Sequence, residues 1–156
     1  MHNLKLVSSE DFLPSIMLNI YDSSNHLFND ERWKGDKSIF DDILKDSQVL
    51  LALVECSSVG FISFRSLNSK TSLITGLYVK KEYQMRGIAS ELLHGSMAHL
   101  NQIVFVKVLR NASWAINFYI KHEFAIATTM ENFCLSDELK FSLQHNNRSD
   151  LYVRVR

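Results

Sequence analysis

The chain of 156 residues carries 17 Lys and Arg against 17 Asp and Glu, a formal net charge of +0, and 46% of it is hydrophobic. That length and apolar content suit one domain with a buried core and exclude a disordered chain. Two cysteines exclude a disulfide scaffold, zero net charge counts against a broad basic face for nucleic acid, and no apolar run nears the roughly 18 residues that cross a bilayer.

No repeat, low-complexity tract or Pro/Gly/Ser linker divides the chain, so residues 1–156 read as a single domain. The run from Met1 to Lys5 has no apolar h-region, so no leader is expected. A reducing, cytoplasmic location is expected, with Cys56 and Cys134 read as isolated buried thiols. Leu4, Leu6 and Val7 predict a short first strand. A helix follows, with Asp11 a candidate N-cap, Pro14 in the first turn and a stripe of Leu13, Ile16, Met17, Ile20 and Tyr21. Residues 22–36 are polar with isolated aromatics, and Ile39, Phe40, Ile43 and Leu44 predict a second helix.

Three strand-like runs come next: Val49–Val54, Val59–Phe64 and Leu73–Val79, the last two joined by a turn-like segment at 66–70. A helix then opens near Arg86-Gly87, with apolar positions Ile88, Leu92, Leu93, Met97 and Leu100. Ile103–Val108 reads as a buried strand, Trp114, Ala115, Phe118 and Tyr119 as a helix, and Phe124–Met130 and Leu151–Val155 as closing strands. Residues 131–150 carry no clear period. The order of elements is an α/β or α+β pattern with a mixed sheet.

The strongest local motif runs from Leu77 to Ser90, where a buried strand passes through a short loop into a helix. Gly87 allows close backbone approach to a ligand. The first-turn N–H groups of the helix lack partners within it, and its dipole is positive there, which suits a phosphate. Lys80, Lys81 and Arg86 can add charge. A plain strand-to-helix turn fits the same residues, and the segment is neither a Walker A loop nor a dinucleotide fingerprint.

Gln84-x-x-Gly87-x-Ala89 after a strand resembles the Q/R-x-x-G-x-G/A motif of the GNAT N-acetyltransferase superfamily. The run Ala115-Ile116-Asn117-Phe118-Tyr119-Ile120-Lys121-His122-Glu123-Phe124 is similar to that family's A-x-x-F-Y-x-K-x-G-F segment. One helix and one strand separate the two blocks, as in the family. The resemblance implies a GNAT-like, mixed and mostly antiparallel central sheet of about seven strands, flanked by about four helices. It departs from the pattern at two places. Glu123 stands where the family has Gly, so the helix exit is expected to differ. Ala112 stands where the family often has Asn near the pantetheine arm, with Asn111 beside it.

The resemblance implies acetyl transfer from acetyl-coenzyme A to an amine by direct attack on the thioester. It assigns cofactor binding to Leu77, Tyr78, Val79, Gln84, Met85, Arg86, Gly87, Ile88, Ala89, Ser90 and Asn111. Backbone N–H groups around Leu77–Val79 would stabilise the charged carbonyl oxygen. Tyr119 matches the family's acid for the leaving thiolate, and its alternative is an ordinary core aromatic. His26 is a candidate base in a run that resembles small bacterial members, and equally a solvated loop histidine. Asp30, Glu31, Trp33 and Glu55 can line an acceptor site or simply face solvent.

None of the six histidines forms a metal-binding motif with its neighbours, and His94 and His99 fall on different faces of one helix. The expected partner is a small-molecule or peptide amine. Neither nucleic acid nor membrane is favoured, and a monomer or homodimer is expected. Two other readings stand beside this one: a toxin-like acetyltransferase acting on aminoacyl-tRNA, and a non-catalytic acetyl-CoA-binding regulatory domain.

Overall fold

The computed structural model describes residues 2–7, 13–24, 46–127 and 149–156. Seven strands form one sheet in the order β1-β2-β3-β4-β5-β7-β6. In chain order these are β1 (Asn3–Val7), β2 (Gln48–Val54), β3 (Ser57–Ser66), β4 (Thr71–Val79), β5 (Ile103–Leu109), β6 (Ala125–Ile126) and β7 (Ser149–Val155). Among the described residues there are three α-helices: α1 (Leu13–Ser24), α2 (Ile88–Ser96) and α3 (Ser113–Lys121). The helix expected around Ile39–Leu44 lies outside the described residues. Every neighbouring pair of strands is antiparallel except β4 and β5, which run parallel.

The alternation of side chains along the strands sorts the core into two faces. Leu51, Phe61 and Tyr78 stand in register across β2, β3 and β4, and this row packs with Leu13, Met17, Ile20 and Tyr21 of α1. Leu50, Ile62 and Leu77 form the next row, on the opposite face, and pack with Ile88, Leu92 and Leu93 of α2 and Ala115 and Tyr119 of α3. Further along the sheet, Leu73, Phe105 and Val153 make a third buried row on the α1 side.

Three elements differ from the sequence reading. Helix α2 stops at Ser96 instead of reaching Leu100, and the chain turns, with His99 N–H donating to Ser96 O at 2.9 Å. His99 therefore leaves the helix and stacks on Phe64, at 6.1 Å between ring centroids. Among the described residues strand β6 is only Ala125–Ile126, paired with Val153 and Tyr152 of β7, and the next residue, Ala127, still donates its N–H to Leu151 O at 2.9 Å; residues 128–130 lie outside the described ones. Cys56 is exposed, not buried, because Glu55 (φ 48°) and Cys56 (φ 69°) form the two-residue turn of the β2–β3 hairpin. Cys134 lies outside the described residues.

Candidate active site

The site is built where β4 and β5 part. They pair only from Thr71 to Ile74 on β4 and from Ile103 to Val106 on β5. Beyond that point β4 continues to Val79 against β3 alone, while β5 continues to Leu109 against β7 alone. A wedge opens between two parallel neighbours at their carboxyl ends, where sheets of this kind take ligands. Residues 75–78 of β4 are only half-buried there, unlike Leu73 and Ile74 before them.

A bulge marks the parting point. The β3–β4 register shifts between Ser63 and Phe64, which pair with Gly76 and Ile74 and leave Thr75 as the extra residue. Thr75 Oγ1 donates to Ser63 Oγ at 2.8 Å. The extra residue reverses the alternation, so Tyr78 faces α1 and Leu77 faces α2. Gly76 makes room for this: a Cβ there would sit 3.1 Å from Ser63 Oγ, 3.2 Å from the Tyr78 ring and 3.3 Å from the Phe61 ring. The Tyr78 ring meets the edge of Tyr21 at 5.0 Å.

One lip of the wedge is the loop after β4. Lys80 N–H donates to Val59 O at 2.8 Å, and a single 3-10 turn, Lys81–Tyr83, follows. Gln84 Nε2 reaches back to Val79 O at 2.9 Å, which ties the loop to the strand end. Met85 (φ 63°) and Gly87 (φ 80°) are both left-handed. Left-handed residues interspersed in a loop turn N–H groups into a concave row that suits anions. Gly87 caps α2 without any side-chain hydrogen bond, and a Cβ on it would meet nothing within 4 Å. Glu91 N–H already bonds Gly87 O at 3.0 Å, so Ile88, Ala89 and Ser90 are the first-turn donors without a partner in the helix. The Arg86 guanidinium lies over the Tyr83 ring, 5.3 Å from its centroid.

The other lip is the β5–α3 connection. Asn111 sits there exposed, and Ala112 caps α3 without a side-chain bond. Helix α3 carries Tyr119, which is buried on the α2 face of the sheet. Burial pushes its phenol well above the ordinary value near 10, and the charge of Tyr78 adds to the rise. The two tyrosines belong to opposite faces of the sheet.

The exit of α3 corrects the expectation drawn from Glu123. The helix ends in a Schellman motif: Phe124 N–H bonds Tyr119 O and Glu123 N–H bonds Ile120 O, each at 3.0 Å. Glu123 takes the left-handed position at φ 69° in place of a glycine. The Phe124 ring packs edge-on against Tyr119 at 5.2 Å, the apolar contact that accompanies this motif.

Of the residues expected to hold a cofactor, the structure brings Leu77 to Val79 and Gln84 to Ser90 together on one lip. Val79 and Ile88 bury their side chains in the core and so present backbone only. Asn111 stands on the other lip. His26, Asp30, Glu31 and Trp33 lie outside the described residues. Glu55 sits in the β2–β3 turn, with β3 between its own strand and β4. One residue that the sequence reading passed over joins the cluster: the His122 ring lies 3.0 Å from Ser90 Oγ. It occupies a variable position of the resembled segment, so nothing in the motif marks it. Among the described residues, no group of histidines, cysteines and carboxylates is arranged to hold a metal, and no helix is long and apolar enough to cross a membrane.

The same architecture recurs in solved structures, acetyltransferases among them. An acetyltransferase from Elizabethkingia anophelis with acetyl-CoA bound superposes with a TM-score of 0.66 at 14% identity, over 99% of each chain. The PaiA N-acetyltransferase of Thermoplasma acidophilum, solved in complex with coenzyme A, gives 0.71 at 15% identity, again over 99% of each chain. A protein of Pyrococcus horikoshii OT3 gives 0.74 at 16%, over 99% of each chain. These likenesses establish the fold. No curated protein matches in sequence. A family model for the acetyltransferase (GNAT) domain matches residues 45–126, and the chain belongs to that family. The reaction of the family is acetyl transfer that depends on acetyl-CoA.

Proposed function

We propose that this protein is an N-acetyltransferase that moves the acetyl group of acetyl-CoA to a primary amine of a small molecule or peptide. The observation that carries the reading is the wedge: β4 and β5 stay paired for four residues and then separate, between an uncapped helix start and a buried tyrosine. The pantetheine arm is an extended amide chain and suits such an opening. The pyrophosphate would take the donors of Ile88, Ala89 and Ser90 and the concave backbone at Met85 and Gly87. The residues that line the site thus fit the co-substrate at both ends.

The amine attacks the thioester carbon, and the tetrahedral oxyanion accepts hydrogen bonds from β4 backbone that has no β5 partner beyond Ile74. Collapse expels the coenzyme A thiolate. Tyr119 is the group assigned to that sulfur. A phenol held well above its ordinary value keeps its hydrogen, so it donates a hydrogen bond to the thiolate at every working pH. Full transfer to a sulfur that titrates near 8.5 runs uphill, and the proton released by the amine completes the thiol. His26 is the residue assigned as base for that ammonium proton.

Tyr119→Phe tests the assignment. It should lower kcat by about 100-fold and leave the Kd for coenzyme A within a factor of two or so. Unchanged turnover would remove Tyr119 from the chemistry. His26→Ala should lower kcat/KM at neutral pH and recover as pH rises and the free amine deprotonates itself. A uniform loss across pH would rule His26 out as base.

A further inference from the structure

His122 closes a hydrogen-bond chain that ends at the start of α2. Its Nδ1 lies 2.8 Å from Phe118 O, and its Nε2 lies 3.0 Å from Ser90 Oγ. A carbonyl oxygen only accepts, so Nδ1 carries the hydrogen. In the neutral ring Nε2 is then bare, and Ser90 must donate its single hydroxyl hydrogen to it. A serine so committed offers only lone pairs to any other partner. Beside the phosphate site of α2, lone pairs face negative oxygen.

Protonation reverses the bond. Both ring nitrogens of a charged imidazole donate, so Nε2–H would point at Ser90 Oγ and release the hydroxyl hydrogen. Ser90 is in the first turn of α2, where its backbone N–H also lacks a partner in the helix. The freed hydroxyl adds a second donor from the same residue, with a positive ring behind it.

We propose that His122 is a positioning residue that turns Ser90 from acceptor to donor, so that binding of the pyrophosphate takes up a proton on His122. The inference rests on the cofactor site assigned above. Its surroundings support a ring fixed in place. The Phe118 ring covers one side at 4.4 Å between centroids, and His122 itself is buried. From α2 the facing titratable group is His94, 5.5 Å away and exposed. Lys121 adjoins it on α3, and the Glu123 carboxylate is turned to Arg154 of β7 at 3.0 Å.

The test is the affinity for coenzyme A itself, measured by calorimetry from pH 6.0 to 8.5 in buffers of different ionisation enthalpy. The phosphates of the probe titrate alike in every variant, so differences between variants isolate the protein. Wild type should lose about tenfold more affinity over that range than Ser90→Ala, and should take up more proton on binding. His122→Gln should flatten the dependence as Ser90→Ala does, and His94→Ala should retain it. Nitrogen NMR of the ring in the wild-type chain needs no variant: Nε2 should be bare in the free protein at pH 8 and protonated with coenzyme A bound. Parallel profiles for wild type and Ser90→Ala, or a bare Nε2 in the complex, would overturn this inference alone. Absence of binding by wild type at every pH would overturn the cofactor site and this inference with it.

Discussion

At the scale of single residues, the backbone angle at Glu123 makes a firm prediction. A left-handed conformation costs an ordinary residue about 1–2 kcal/mol, and glycine carries an unfolded-state penalty of about 0.5–1 kcal/mol. The carboxylate is 77% exposed, so its pair with Arg154 offsets little. Glu123→Gly should therefore stabilise the fold by about 0.5 kcal/mol, read as a higher denaturation midpoint at unchanged m-value. A loss of stability would show that the Arg154 contact outweighs the backbone strain. Tyr119 makes a second prediction, in pH. Its folded value lies above the unfolded one near 10, so its contribution is complete below that pH and fades as pH rises above it. Wild type should lose more melting temperature than Tyr119→Phe between pH 9 and 11. Equal losses would mean that the phenol is less enclosed than the structure shows.

At the scale of elements, the bulge in β4 and the loop before α2 carry the site. Gly76→Ala would drive a methyl group into Ser63 and the Tyr78 ring, both within 3.2 Å of the new atom. Overpacking of this kind should cost about 1–3 kcal/mol, checked by urea denaturation. No measurable cost would mean that the Tyr78 ring moves freely. Gly87 is the opposite case, because the space around it is open and only its φ of 80° resists a side chain. Gly87→Ala should cost about 1 kcal/mol in stability. Its larger effect should fall on coenzyme A, since the methyl group enters the space next to the first-turn donors. Binding that stays as tight as in wild type would place the phosphate elsewhere.

At the scale of the whole molecule, the sheet is held as a unit except at the wedge, so a ligand that bridges both lips should stabilise the fold. At about 100 times its Kd, coenzyme A should add about 2.7 kcal/mol, or about 5–10 °C in melting temperature for a domain of this size. Adenine alone should not do so. A chain unmoved by millimolar coenzyme A would keep its fold and lose its proposed donor.

The local motifs were legible from residues alone. Apolar period marked α1, α2, α3 and the strands, and Gln84-x-x-Gly87-x-Ala89 marked the helix start, because such features depend on neighbours close in sequence. Tyr119 and its segment were legible for the same reason. The faces of β4 were not. The run from Leu73 to Val79 is apolar on both sides of Thr75-Gly76 and shows no alternation to read, and one extra residue at Thr75 decides which way Tyr78 points. The contact of Ser90 with His122 was equally hidden, since 32 residues separate them. Sequence alone determined the order of the described elements and the passage from β4 through a short loop into α2, which are set by local propensity. Only tertiary structure decided the wedge, the packing of Tyr78 against Tyr21, and the partner of Ser90, because each depends on where two parallel strands stop sharing hydrogen bonds and how the helices then pack.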